Sequence, residues 1–380
     1  MNSEPNADQR REAIDKANSK TSVASHREMP ERKIPQRIFV SEYVCGGAWP
    51  EDTLAPSLAR EGRAMLTAIL ADLLRIPDSQ VVTTWDRRLG EFPWREANTD
   101  RSESRLEIHK TTPQDEAARF ENLCRASDAA LIIAPEFDGI LANRVATAAS
   151  LTTLLGPNEE AVSLCSDKLL LARFLEEHQI ASVPAAIVNL AEPVSCWEYP
   201  VVIKPRDGAG SVQTFLVSDS REFVQRCREV SCAGWPTQFI QQPFVPGESI
   251  SAAAIIEASG RRHILPVAIQ LLSENGRFEY IGAKWSRQAA AWQHSVSTII
   301  NELLDSVPGL HGYIGLDLIG NADGSVQIVD INPRLTTGYL VWRRRTPLNL
   351  SASILDTAEF DWSSASGEFR LENLESEASL

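Results

Sequence analysis

Residues 312–320, GYIGLDLIG, are followed by NADG and then by SVQIVDIN, and this stretch constrains the chain more than any other. Two β-branched apolar runs around an Asn/Gly turn make a β-hairpin. Side chains alternate faces along a strand, and residues opposite one another share a face. With residues 321–324 as a tight turn, Gly320 pairs with Ser325 and Asp317 lies opposite Ile328. Asp317, Asp330 and Asn332 then project from one side of the sheet. Moving the turn to Asp323-Gly324 preserves that parity, whereas a three-residue loop destroys it. Two carboxylates and an amide oxygen suit a hard cation, and Mg²⁺ takes one or two protein carboxylates and fills its shell with water and phosphates. Without a cation the same residues read as a solvent-facing hairpin ended by Asn332-Pro333.

Two upstream segments have a chemistry of their own. In YPVVIKPRDGAGSVQTFLV a buried strand ends at Lys204, a glycine-rich loop follows at residues 207–211, and a second strand begins. Glycines let backbone N–H groups converge on a phosphate, and a lysine adds a point charge. Neither the Walker pattern nor G-x-G-x-x-G is present, since a strand rather than a helix follows. In QQPFVPGE, residues 241–248, backbone amides flanked by apolar side chains at a strand end can hold an adenine edge, with Glu248 an acceptor for ribose hydroxyls. Alone, the first segment reads equally as a hairpin turn and the second as a Pro-terminated edge strand.

The N-terminal half alternates differently. RIFVSEY, QVVTTW and DAALIIAPE are strand candidates. SLAREGRAMLTAILADLLRI carries Leu58, Met65, Leu66, Ile69, Leu70, Leu73 and Leu74 at helical spacing. Such alternation predicts a parallel sheet flanked by helices, whose ligands sit beyond the C-terminal strand ends. Glu42, Gly46, Gly47, Glu136 and Asp138 lie at such ends. Cys45 beside the glycines reads as a small packed thiol rather than a nucleophile. Farther on, Ser166 is placed to cap the helix DKLLLARFLEEHQ, HILPVAIQLL reads as one strand, and residues 274–291, with Lys284 and Arg287, as an irregular cover.

The 380 residues suffice for two or three cores, and 43% hydrophobic with 23% charged residues is the balance of a globular chain. A net charge of −14 argues against general binding to nucleic acid or to anionic membranes. No run of 18 apolar residues predicts a membrane span. Six cysteines lack zinc spacing and read as reduced thiols, giving a cytoplasmic expectation. The polar residues 1–36 read as a disordered tail. Residues 37–160 form one α/β domain, 161–345 a second, α+β domain, and 346–380 an acidic extension. Arg343, Arg344 and Arg345 read as a solvated charge run, with a phosphate contact as the alternative.

The order of these elements (Lys168, Lys204, the 207–211 loop, residues 242–248, then Asp317, Asp330, Asn332 and Arg334) resembles the ATP-grasp superfamily. By that resemblance, two α+β subdomains clasp ATP behind a Rossmann-like domain. Lys168 and Lys204 look like its triphosphate lysines, and Asp207, Gly208, Ala209, Gly210 and Ser211 like its phosphate cover. Gln242, Pro243 and Val245 would line adenine, Glu248 the ribose, and Asp317, Asp330 and Asn332 would hold Mg²⁺ or Mn²⁺. Lys204 and Arg334 look like the catalytic cations. The family usually has Glu where this chain has Asp330. A narrower resemblance, through SEYVCGG, APEFDGIL, CSDKLLLARFL, KPRDGAGS and INPRLTTGY, is to the tyramine–glutamate ligase family and its bacterial relatives. It implies an ADP-forming carboxylate–amine ligase with small-molecule partners, a carboxylate and an amine. Homodimerisation is left open. The alternative is a non-catalytic ATP-binding regulatory module. A carbamoyl-phosphate-type synthetase is disfavoured, because one such unit is present.

Overall fold

Buried β-branched runs and short glycine turns order the N-terminal half into a five-stranded parallel sheet. The computed structural model describes residues 35–93, 105–208, 210–234, 238–346 and 348–355, together with the backbone of 367–370. Strands β1 (Arg37–Glu42), β2 (Gln80–Asp86), β3 (Leu106–Thr111), β4 (Ala129–Ile133) and β5 (Thr153–Leu154) lie in the order β3-β2-β1-β4-β5. Every pair is parallel. Helices α1 (Pro56–Leu74), α2 (Glu116–Arg125) and α3 (Ile140–Ala149) cross over between them. Strand β3, LEIHKT, escaped the sequence reading because polar residues interrupt its apolar ones.

Most of the apolar stripe of α1 does what its spacing predicts: Met65, Leu66, Ile69, Leu70, Leu73 and Leu74 are buried, while Leu58 is only half-buried. At roughly 1.5–3 kcal/mol for each fully buried large side chain, the stripe is the main reason the helix stays docked. Gly62, within the helix, costs about 1 kcal/mol relative to alanine. A β-carbon there would stand 2.6 Å from the carboxylate of Glu42, so the glycine is space for that side chain. Glu42 is buried and accepts a 2.6 Å bond from the N–H of Cys45. Burial pushes its pKa up to about 7, against these bonds and the charge of Arg334. Cys45 is itself buried, and its Sγ donates to the carbonyl of Ala59.

The second half forms two antiparallel sheets. After α4 (Glu159–Ser166) and α5 (Lys168–Glu177), a four-stranded sheet contains β6 (Ala186–Ile187), β7 (Val201–Pro205), β8 (Phe215–Val217) and β9 (Phe239–Pro243), with α6 (Ser220–Cys232) between β8 and β9. Its core is Val201, Ile203, Phe215, Val217, Phe223 and Phe239. The cap of α5 is Asp167, not Ser166. The Asp167 carboxylate accepts from the N–H groups of Leu169 and Leu170, and the Ser166 hydroxyl has no partner.

The larger sheet comprises β10 (Glu248–Ile256), β11 (Arg262–Ile264), β12 (Ala268–Leu272) and β13 (Tyr280–Trp285), then, after α7 (Arg287–Ala290) and α8 (Gln293–Ser306), β14 (Gly312–Gly320) and β15 (Val326–Asn332). Helix α8 covers one face through Val296, Ile299, Ile300 and Leu303. The run read as one strand, HILPVAIQLL, breaks at Pro266, which cannot donate to a ladder. Residues 280–285 are a strand, not an irregular cover: Ala283 pairs with Gln270 and Gly282 with Leu271, and an irregularity at Ile281 brings Tyr280 opposite Leu272. Helices α9 (Gly338–Arg343) and α10 (Leu350–Ile354) follow, and β16 (Gly367–Arg370) pairs with β13, so the acidic extension contributes to the sheet.

One ionic knot fastens the two halves. Asp72, on α1, is buried and accepts from Tyr339 Oη at 2.6 Å and from Nε and Nη2 of Arg343 at 2.9 and 2.8 Å. Arg343 is therefore a structural ion-pair residue rather than a solvated charge, and Arg345 lies over the Trp285 ring. Asp72→Ala leaves the arginine charge half-buried and unpaired. A loss of about 3–5 kcal/mol is expected in urea unfolding. A loss below about 1 kcal/mol, the worth of an exposed pair, would contradict this assignment.

Candidate active site

Between the two antiparallel sheets lies a cleft of about 930 Å³. Its floor is the β14–β15 hairpin, whose register differs from the expected one in an instructive way. Gly320 pairs with Val326 and Leu318 with Ile328, while Asn321 N–H donates to the carbonyl of Ser325. The loop thus spans residues 322–324, the three-residue length that should scramble the faces. A β-bulge between Leu318 and Asp317 cancels the error. Val329 is the extra residue, after which Asp317 pairs with Asp330 and Gly315 with Asn332. A bulge shifts one strand by one residue and reverses its parity. Asp317, Asp330 and Asn332 consequently all line the cleft, as does Val329.

The carboxylates are compensated from several directions. Asp317 accepts from Gln270 Nε2 at 2.6 Å and from Asn332 Nδ2 at 3.3 Å. Burial, then the charge of Asp330, still raises its pKa to about 6. Lys168 Nζ lies 2.7 Å from Asp330 Oδ2 and donates to the carbonyl of Gly208 at 3.2 Å. Burial alone would depress Lys168; Asp330, Glu136 and Asp317 outweigh it and hold its pKa above the usual lysine value. Lys204, at the end of β7, is buried and lines the same cleft without a hydrogen bond or ion pair among the described residues. Burial, aided by the neighbouring Lys168, brings its pKa down to about 8.

Arg334 reaches the cleft two residues beyond β15. Its Nη2 donates to Glu136 Oε2 at 2.8 Å, its Nε lies 2.8 Å from Oε1, and its Nη1 donates to the carbonyl of Leu335. Glu136 comes from the loop after β4, so the N-terminal domain supplies the partner of this arginine. Nothing in the sequence pairs residues 198 positions apart.

Gly208, Gly210 and Ser211 line the cleft, and Gly210, at φ +67°, has the left-handed backbone that glycine accepts freely. Ser211 Oγ donates to the carbonyl of Phe278. Ala209 lies outside the described residues. Asp207 is not brought to the cleft: its Oδ2 accepts from the N–H of Asp138. Gln242, Pro243 and Val245 line the cleft, although the Gln242 amide is spent on the carbonyl of Val183. Glu248 is exposed and outside the cleft. Strand alternation instead brings Ser249 and Ser251 to it, with Ile250 facing the core. Lys284 and Arg287 are likewise outside; Arg277, Phe278, Glu279 and Tyr280 line the cleft in their place. The sequence reading also missed Ser57, Leu58, Arg60 and Glu61 of α1, which form a wall. A helix read for its apolar stripe gives no sign that its first turns meet another domain.

Among the described residues no group of three or more His, Cys, Asp or Glu side chains could hold a metal ion by itself. Asp317, Asp330 and Asn332 fit a cation that shares its shell with phosphates, since two carboxylates paired across the ladder and one amide oxygen make an oxygen donor set whose mutual repulsion a divalent ion would relieve.

Residues 165–338 match the ATP-grasp domain family model, and residues 79–162 match the pre ATP-grasp 3 domain model. The chain carries an ATP-grasp domain preceded by a pre ATP-grasp domain. Among its relatives, the tyramine–L-glutamate ligase of Methanocaldococcus jannaschii is 26% identical over 315 residues, covering 80% of this chain and 83% of that enzyme. Among solved ATP-grasp structures, a superfamily protein from Archaeoglobus fulgidus superposes with a TM-score of 0.62 at 21% identity, over 87% of this chain and 97% of that one. The ADP complex of N5-carboxyaminoimidazole ribonucleotide synthetase superposes with a TM-score of 0.66 at 17% identity, over 87% and 80%. These two likenesses speak for the ATP-grasp fold. No helix among the described residues is long and apolar enough to cross a membrane.

The electrostatics of this ATP-grasp cleft make Lys204 its most unusual amine. In competitive acetylation read by peptide mass spectrometry, Lys204 should reach half-maximal reactivity near pH 8, against 10.5 for an ordinary lysine. Titration together with the exposed lysines would contradict the burial argument.

Proposed function

We propose that this ATP-grasp ligase joins a carboxylate to an amine through an acyl phosphate, releasing ADP and phosphate. The observation that carries the reading is the convergence of Lys168, Lys204 and Arg334 with the Asp317–Asp330 pair in one cleft. Its relative, a tyramine–L-glutamate ligase, supports the class of bond formed.

In this account the substrate carboxylate oxygen attacks the γ-phosphorus and the bond to the bridging oxygen breaks, releasing ADP. The amine nitrogen then attacks the acyl carbon, phosphate leaves, and the amine proton passes to solvent. Phosphoryl transfer needs in-line positioning and charge stabilisation more than covalent help from the protein. Lys204, with no partner among the described residues, faces the triphosphate. Lys168 exchanges Asp330 for phosphate oxygens, and Arg334 meets the transferring phosphoryl group. Gly208, Gly210 and Ser211 cover the phosphates, and Gln242, Pro243 and Val245 line the adenine. Asp317, Asp330 and Asn332 would hold Mg²⁺, which supplies positive charge to the phosphate oxygens when bound. The cleft keeps water from the acyl phosphate.

Arg60 and Glu61 favour an amino acid as one substrate. Neighbours at i and i+1 on a helix diverge. Both nonetheless line the cleft, and neither makes a hydrogen bond or ion pair among the described residues. One suits a carboxylate and the other an ammonium.

The test is ADP release from ATP·Mg²⁺ with amino acids screened against amines, glutamate with tyramine among them, and mass detection of the product. ADP should form only when both partners are present. Absence of ADP with every mixture, despite ATP binding, would favour a regulatory module. Asp330→Ala and Asn332→Ala should each abolish Mg²⁺-dependent turnover while leaving the melting transition in place; full activity in both would remove the metal assignment. Glu61→Gln should raise the KM of the amino-acid substrate about tenfold or more, the worth of a charge-assisted bond, with the KM for ATP unchanged. Equal changes in both KM values would contradict its place on the substrate wall.

A further inference from the structure

The loop after β4, residues 134–139, touches the ATP-grasp domain through two polar contacts that point in different directions. Glu136 holds Arg334 with both carboxylate oxygens within 2.8 Å of guanidinium nitrogens. Two residues on, the N–H of Asp138 donates to Asp207 Oδ2 at 3.0 Å, at the base of the phosphate loop. Asp138 and Gly139 both have left-handed backbone, at φ 54° and 66°, which turns the loop sharply between these contacts and the start of α3. The chain of contacts closes on itself. Asp207 adjoins Gly208, whose carbonyl accepts from Lys168; Lys168 pairs with Asp330; and Asp330 lies four residues before Arg334. All three sheets contribute to this ring.

Glu136 is buried with its carboxylate on Arg334, and Asp207 lines no part of the cleft. A carboxylate buried at this depth is retained only with a partner, and its partner here is the cation nearest the hairpin end. We propose that Glu136 and Asp207 are positioning residues, which use the 134–139 loop to tie the base of the phosphate loop to Arg334 so that the two do not shift independently. The part played by Arg334 in catalysis rests on the ligase reading above; the tie itself does not.

The decisive experiment is a double-mutant cycle on the full chain with Asp207→Ala, Glu136→Gln and the double variant, since coupling between sites is demonstrated by non-additivity. The first readout needs no turnover: the rate at which phenylglyoxal modifies Arg334, quantified by peptide mass spectrometry. Each single variant should raise that rate about fivefold or more, and the double variant no further than the larger single effect. Glu136→Asp, which keeps the charge, should recover most of the protection. The second readout is kcat against the KM for ATP. Both single variants should lower kcat with KM within about threefold, and their effects should again not multiply. Multiplicative effects, or wild-type reactivity of Arg334 in Asp207→Ala, would overturn the proposal. If Glu136→Gln does not fold, Asp207→Ala carries the test alone, because Asp207 is only partly buried. If no substrate mixture yields ADP, the ligase reading fails while the modification rates still decide the tie.

Discussion

Two carboxylates face each other across the last hairpin, and the surrounding structure exists to make that arrangement tolerable. Asp317 and Asp330 are paired residues of one ladder, in a site buried enough to raise one of them to about pKa 6. Like charges in such a place destabilise a fold unless cations and donors surround them. Lys168 arrives from the start of α5, Gln270 from β12, and Asn332 from the hairpin itself. The contacts of the Lys168 ammonium, to Asp330 and to the carbonyl of Gly208, are ones that phosphate oxygens can replace.

The same logic extends to the N-terminal domain. Glu136 neutralises Arg334, and Asp72 neutralises Arg343, so two arginines of the C-terminal half find their carboxylates in the N-terminal half. Lys204 has no such partner among the described residues, and burial depresses its pKa. In the ligase reading this difference sets the division of labour. The paired cations are held in place, and the unpaired one supplies attraction for the incoming triphosphate.

How much of this was legible in the sequence depends on the range of the interaction. The alternation of strands and helices, the stripe on α1 and the common face of Asp317, Asp330 and Asn332 are local or nearly local patterns, and they were readable. The hairpin shows the limit. Its faces were read correctly through a wrong register, because a three-residue loop and the bulge at Val329 are two unforeseen shifts that cancel. Glu248 and Asp207 matched a motif by position but point elsewhere, since the motif does not fix strand parity or the reach of a neighbouring loop. Glu136, Asp72 and the first turns of α1 act across domains, and no periodicity records such contacts.

The central claim is that this cleft drives a carboxylate oxygen onto the γ-phosphorus of ATP. The most direct measurement uses the acid substrate with both carboxylate oxygens labelled with ¹⁸O, together with its amine and ATP, and mass analysis of the phosphate released. The account predicts that each phosphate formed carries one labelled oxygen, in step with amide formation and ADP. Unlabelled phosphate alongside amide, or AMP and pyrophosphate in place of ADP, would contradict it.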